Sequence, residues 1–347
     1  MICRKGIFYL MEKKVLIMLA TYNGERFIEQ QIESILKQTY TNFHLAIQDD
    51  GSTDATLDII KKYSQKDKRI EILKNESKYH GPFYNFHCLA NKFKQREKYD
   101  FYMFCDQDDL WDQNKIEKYI HIVKNKFKNF DKPVLVYSDM RLIDEVGNVK
   151  GVSVDKIQGI KYVNKHSVFF AHNVYGCNLM MNYQCFLAVP ILDLSKPIVK
   201  ILSHDNLYTK FAAYLGAIYY IPSVSMSYRR FGGNVTGAQA YDFKLKRILK
   251  RLSNLSLLAK DHSRAYSQTL YTIELLTHNY PTMDSIDLEE MKKVIYKGGI
   301  YSLLYIKKYN VNWGRTIKNL SRKIILVTKL YQKYLVCDFE HKLLYFL

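Results

Sequence analysis

Three short polar stretches carry the residue types that chemistry needs. They are Thr21-Tyr22-Asn23-Gly24-Glu25, Gln48-Asp49-Asp50-Gly51-Ser52-Thr53-Asp54 and Asp106-Gln107-Asp108-Asp109-Leu110-Trp111. Each follows an apolar run that reads as a buried strand, and two of them are acidic in a chain that is otherwise strongly basic. Carboxylates spaced Asp-x-Asp directly after a strand, as in Asp106 and Asp108, present oxygen ligands to a hard cation such as Mg2+ or Mn2+. Two carboxylates leave most of the coordination shell to water and to the oxygens of a diphosphate. Asp49 and Asp50 offer anionic acceptors to ribose hydroxyls or a base N–H. Neither G-x-G-x-x-G nor G-x-x-x-x-G-K-[ST] occurs, so phosphate would be held through the metal and not by a glycine-rich loop. Taken singly, an acidic cluster of this kind is more often a helix cap or a solvated turn. Two of them at strand ends on the same edge of the sheet favour a site.

The elements that must position these stretches alternate. Strands are predicted over residues 15–20, 43–47, 70–73, 101–105 and 134–137. Between the first two, Phe27, Ile28, Ile32, Ile35 and Leu36 recur at spacings of three and four, the inward stripe of a helix. Ser52 or Thr53 caps a second helix with Leu57, Ile60 and Tyr63 inward, and further helices are predicted over 84–93, 115–127 and 203–216. This rhythm implies a largely parallel α/β sheet, in which ligands bind beyond the carboxyl ends of the strands. Residues 139–189 read as mixed sheet and loop, and short strands at 218–221 and 224–228 flank Pro222. From residue 241 onward the pattern is helical. The change near residue 240 predicts two parts, 1–240 and 241–347.

Composition narrows the class. Of 347 residues, 48% are hydrophobic and 14% aromatic, with 15 Gly and 6 Pro, which excludes disordered and collagen-like chains. The net charge of +18 suits nucleic acid, an anionic membrane surface or a phosphorylated substrate. The six cysteines show no CxxC pair and read as reduced packing residues of a cytoplasmic protein. The apolar run at residues 6–11 is broken by Glu12, Lys13 and Lys14, too soon for a signal peptide, and no run is long enough to span a bilayer. Met11, just before the first strand, would be a natural start.

The three stretches, followed by Lys115, resemble those of family-two glycosyltransferases of the GT-A fold, with the bacterial rhamnosyltransferase-like members nearest. The similarity continues through Gly176-Cys177-Asn178-Leu179-Met180-Met181-Asn182, Ser203-His204-Asp205 and Tyr228-Arg229-Arg230-Phe231-Gly232-Gly233-Asn234-Val235-Thr236-Gly237, covering about residues 13–240. Six motifs in the family's order make it specific. The resemblance implies a nucleotide-sugar donor bound by about residues 13–112 and an acceptor bound mainly by 113–240, with the helical part beyond 240 an extension outside its reach. It implies that Thr21, Tyr22, Asn23, Glu25, Asp49 and Asp50 contact the nucleoside, that Asp106 holds ribose or metal and Asp108 the metal, and that Asp109 and Trp111 lie near the sugar. It further implies that Asp205 is the base of an inverting transfer, with His204 either orienting it or merely packing. Relatives carry Tyr-Arg-x-His in the last motif, whereas this chain has Phe231, which neither ligates metal nor donates a hydrogen bond. Arg229 and Arg230 would then supply the charge that meets the diphosphate.

The implied reaction is metal-dependent transfer of a sugar, rhamnose from dTDP-rhamnose first and a UDP-hexose second, to a cell-surface polysaccharide or lipid-linked glycan. From other classes, a nucleotidyltransferase would need a Gly-rich, Arg-bearing loop after the first strand. A nucleic-acid binder would show aromatic RNA motifs, so nucleic acid is not an expected partner. The part beyond residue 240 carries 19 basic and 9 acidic residues, +10 of the total. Amphipathic helices at 241–258 and 313–335 read either as ordinary packed helices or as a peripheral contact with the inner face of the cell membrane.

Overall fold

A computed structural model describes residues 13–127, 130–170, 174–232, 255–314 and 316–336. The predicted boundary near 240, most of the 241–258 helix and the Gly233 to Gly237 end of the last motif lie outside the described residues. The helix predicted at 115–127 and the strand at 134–137 appear as α4 (Lys115–Lys126) and the first part of β6 (Val134–Ile143).

The first half builds as the periodicity predicts: β1 (Val15–Thr21), α1 (Ile28–Leu36), β2 (Phe43–Asp49), α2 (Thr56–Ser64), β3 (Ile70–Lys74), α3 (Pro82–Lys94) and β4 (Phe101–Cys105). All seven residues of β1 are buried, because β2 and β4 pair with it in parallel on either edge and α3 packs against it. Helix α1 buries Ile28, Ile32 and Ile35, the predicted stripe. Helix α2 departs from expectation at its start. Asp54 accepts the Thr56 N–H at 3.0 Å, in place of a Ser52 or Thr53 cap.

After α4 come β6, β7 (Val149–Gly151), α5 (Val154–Gln158), α6 (Lys165–Phe170), a 3-10 turn (Gly176–Asn178), β8 (Leu179–Asn182), α7 (Tyr183–Ala188), a second 3-10 turn (Pro197–Ile201), α8 (His204–Leu215) and β9 (Ala217–Arg229). With the two-residue β5 (Leu110–Trp111), these strands form one sheet of order β3-β2-β1-β4-β8-β6-β9-β5, with β7 paired to β6. Strand β8 runs antiparallel to β4 and β6, so the sheet is mixed beyond β4. The two strands expected around Pro222 are one. Its register against β6 jumps from Ser138↔Ile221 to Asp139↔Val224, a bulge that removes Pro222, which has no N–H to donate, from the ladder.

Helices α9 (Leu255–Asn279), α10 (Ile286–Lys297), α11 (Gly299–Lys308) and α12 (Thr316–Thr328) follow. Helix α9 packs on α8 and braces the start of that helix. Gln268 Oε1 accepts the Ser203 N–H at 3.1 Å, and Lys210 donates to Thr269 Oγ1 at 2.8 Å. The apolar core is continuous from the sheet into these helices. No described helix is long and apolar enough to cross a membrane.

Candidate active site at the carboxyl edge of the sheet

The loops after β1 and β2 lock to each other. Asn23, in the left-handed region at φ 45°, accepts the Thr53 N–H at 2.9 Å while its own N–H reaches Ser52 Oγ at 2.9 Å. Glu25 accepts the Ala55 N–H at 3.0 Å. Gln107, from the third stretch, closes the ring: its Oε1 accepts from Thr21 Oγ1 at 2.6 Å and from the Tyr22 N–H at 2.9 Å. A Cβ at Gly24 would fall 2.5 Å from that Gln107 oxygen, so glycine permits the close approach. Tyr22 projects outward, 53% exposed.

Asp49 and Asp50 are both buried. Asp49 accepts the Gly51 and Ser52 N–H groups at 2.9 Å each. Asp50 accepts from Asn75, from the Gly81 N–H at 2.7 Å and from His80 Nδ1 at 3.0 Å. Both carboxylates thus fix the loops at this edge of the sheet.

The acidic turn follows β4. Asp106 and Asp108 are partly buried, and Asp109 is wholly so. A ligand oxygen of Asp106, one of Asp109 and the Cys177 Sγ lie within 4.8 Å of one another. Burial, then repulsion from Asp108, raises the pKa of both Asp106 and Asp109, and Asp205 also contributes at Asp106. Asp109 Oδ2 is buried and accepts no hydrogen bond of ordinary geometry. Crowded carboxylates with an uncommitted oxygen fit a hard divalent cation. The thiol fits less well: burial holds Cys177 protonated, and a protonated thiol is a poor ligand.

Beneath the turn lies the buried Lys115. Its Nζ donates to the Cys177 carbonyl at 2.8 Å, touches Met226 Sδ at 3.0 Å and stands 4.2 Å from the centre of the Trp111 ring. Burial lowers its pKa to about 8, which acidic neighbours including Asp109 resist. Trp111 is itself buried, under the turn and not on its surface.

Asp205 sits in the first turn of α8. Its Oδ2 accepts the Gly176 N–H at 3.0 Å and its Oδ1 the Asn206 N–H at 2.7 Å. His204 packs, with its ring centre 4.0 Å from that of Phe86 and 4.4 Å from that of Phe104. The first 3-10 turn therefore joins the two chemistries. Cys177 faces the acidic turn, Gly176 holds Asp205, and Asn178 is anchored by Tyr119 at 2.8 Å.

The last motif is placed behind the acidic turn. Arg229 is buried, and its Nε donates to the Asp108 carbonyl at 2.8 Å, its Nη1 to the Glu145 carbonyl at 2.8 Å and its Nη2 to Gln30 at 2.7 Å. Its backbone N–H donates to Asp109 Oδ1 at 2.9 Å. Its guanidinium thus grips the turn from within the protein, where the sequence suggested direct contact with diphosphate. Arg230 reaches Tyr228 Oη at 3.3 Å. Phe231, in place of the family's histidine, packs on Phe27 with ring centres 4.9 Å apart. Sequence reasoning did not single out Gln107, Lys115 and Gly176 as site residues, although each lies in a motif that carried the resemblance.

Residues 16–166 match the model of glycosyl transferase family 2. Over 236 residues the chain is 30% identical to a dTDP-rhamnosyl transferase, RfbG, of Shigella flexneri, a match spanning 66% of this chain and 78% of that one. The chain belongs to glycosyl transferase family 2. Among other relatives, the putative glycosyltransferase EpsE of Bacillus subtilis is 32% identical over 142 residues, 41% of this chain and 48% of its own. In fold, a TarS crystal structure from S. aureus superposes with a TM-score of 0.50 at 14% identity, covering 92% of this chain and 55% of that longer one. The protein is a GT-A glycosyltransferase with a helical C-terminal region.

Proposed function

We propose that this glycosyltransferase moves a sugar, rhamnose from dTDP-rhamnose in the leading case, to a lipid-linked or cell-surface glycan with inversion at the anomeric carbon. The observation that carries this reading is the meeting of two carboxylate environments through one turn. Asp106 and Asp109 crowd against Cys177, while the adjacent Gly176 amide holds Asp205. Asp106 and Asp108 would hold Mg2+ or Mn2+, with Asp109, whose oxygen lies within 4.8 Å of one from Asp106, as a third candidate ligand. Bound there, the cation offsets charge that develops on the leaving diphosphate. Asp205 takes the proton from the acceptor hydroxyl as its oxygen attacks the anomeric carbon, and its two backbone N–H bonds keep it aimed.

The interlocked loops of Thr21, Tyr22, Asn23, Glu25, Asp49 and Asp50 form the nucleoside rim. Arg229 serves the donor indirectly, by fixing the Asp108–Asp109 backbone, and Arg230 is the cation assigned to the diphosphate in this reading. Residues up to about 240 form the catalytic part, and the remainder a basic helical extension. The protein would work in the cytoplasm at the inner face of the membrane, where a lipid-linked acceptor resides. Similarity to the Shigella flexneri dTDP-rhamnosyl transferase supports rhamnose as the sugar.

A thermal-shift comparison of dTDP-rhamnose, UDP-hexoses and the bare nucleoside diphosphates, with and without Mn2+, tests the reading, because a ligand selective for the native state raises its midpoint. The expected result is a Mn2+-dependent rise, largest with dTDP-rhamnose. No metal-dependent rise with any of them overturns it.

A further inference from the structure

Helices α11 and α12 each leave an apolar stripe on the outside. On α11 these are Ile300 (75% exposed), Leu303 and Leu304 (63%), at spacings of three and four. On α12 they are Leu320 (57%), Ile324 and Val327, again a helical repeat, while Ile325 and Leu326 point inward. The two helices pack on each other, and the end of α12 meets the start of α11, where Lys329 lies against Gly298 and Gly299. Neither stripe closes over the other. Large aliphatic side chains presented this way on adjoining helices are unusual for a surface that meets only water.

The chain here carries charge of one sign, although Glu290 of α10 pairs with Lys308 at 2.8 Å. From residue 291 to residue 336 the chain contains eleven Lys and Arg and no Asp or Glu. Lys297, Lys307, Lys323 and Lys329 are exposed on or beside the stripes. An interface with a second copy of this chain would bring like charges together. An anionic bilayer surface supplies phosphates to the lysines and an acyl boundary to the aliphatic side chains.

We infer that the α11–α12 face is a docking surface for an anionic membrane, entered by Leu304 and Ile324 and ringed by lysines. It rests on the proposed function only in that a lipid-linked acceptor gives the docking its purpose. This face differs from the one the sequence suggested, since α11 carried no signal there and the apolar positions of α12 divide between core and surface.

The full-length protein would be sedimented with vesicles of phosphatidylcholine alone and of phosphatidylcholine with phosphatidylglycerol. Two double variants, Leu304→Glu with Ile324→Glu and Lys307→Glu with Lys323→Glu, would be run alongside. All four positions are exposed, so folding should survive. Binding to the anionic vesicles alone is expected, with a loss of tenfold or more in the first variant. The charge-reversal pair should lose at least as much, since each basic residue near such a surface is worth roughly a fivefold change in partitioning. Equal binding to both vesicle types, or variants that bind like the parent, overturns the inference. So does self-association abolished by Leu304→Glu with no lipid effect, which would assign the face to a second copy. The donor-induced thermal shift of each variant keeps the two readings apart. Lipid binding without any donor shift retains this inference and removes the proposed function, and a donor shift without lipid binding does the reverse.

Discussion

Gly176 donates its backbone N–H to Asp205 Oδ2 at 3.0 Å, and the same glycine lies so close to His204 that a Cβ would stand 2.1 Å from the ring Nε2. The His204 ring cannot retreat, because Phe86 and Phe104 hold it on two sides. Asp205, the base of the proposed reaction, is thus positioned by a backbone amide that only glycine can bring near enough.

Gly176→Ala should therefore push the turn away from α8 and misplace Asp205. A shift of about 1 Å in a catalytic group costs roughly a hundredfold in rate. Overpacking would add about 1 to 3 kcal/mol of destabilisation. Steady-state kinetics should show the loss in kcat with little change in donor KM. A fall confined to KM would contradict this account.

Asp205→Asn keeps an oxygen to accept the Gly176 N–H but cannot take a proton. Transfer should drop by about 10² to 10⁴. The donor-induced thermal shift should persist, since the substitution leaves the acidic turn intact. Transfer at near-parental rates would show that the proton leaves by another group.

Lys115→Met removes the buried ammonium that lowers the carboxyl pKa of Asp106. Without it, Asp106 rises further and holds its proton to higher pH, so Mn2+ must displace a proton that is more tightly bound. The pH at which the Mn2+-dependent donor shift reaches half its maximum should move upward. The Cys177 carbonyl also loses its 2.8 Å partner. An unmoved pH midpoint would leave Lys115 with a packing role alone.

His87 is buried and pairs with the Leu202 carbonyl at 2.9 Å, just ahead of the Ser203-His204-Asp205 segment. Burial lowers its pKa from 6.5 to about 4. Between those values the unfolded chain binds a proton that the folded chain refuses, so stability falls as pH drops through that window. The full effect is about 3 kcal/mol. Thermal midpoints measured from neutral pH down to pH 4 should show the decline, and His87→Gln should flatten it.

Much of this was legible in the chain itself. Strand β1 is an unbroken apolar run, and helices α1 and α4 repeat at three and four, so local periodicity alone placed them. Asp106, Asp108 and Asp109 stand in one short stretch, and their reading as a candidate cation site rests on residue type and spacing. The bulge at Pro222 was not legible, because a register jump belongs to a pair of strands and not to either one. Nor was the two-residue β5, too short to carry a period, though it ties the acidic turn to β9.

The arginine and lysine roles show the division most clearly. As letters, Arg229 and Arg230 are equivalent cations, yet one is buried in a fork of carbonyls and the other leans on Tyr228. Charge is a property of the residue, but the acceptor it meets depends on chain brought in from a distance, here Asp108, Glu145 and Gln30. Lys115 likewise is 62 residues from the carbonyl it holds. Sequence alone determined the order of elements and the acid-bearing edge, since both arise from neighbours along the chain. Tertiary structure alone decided which groups aim Asp205 and which surface stays apolar and open, because those depend on contacts between segments that no local pattern records.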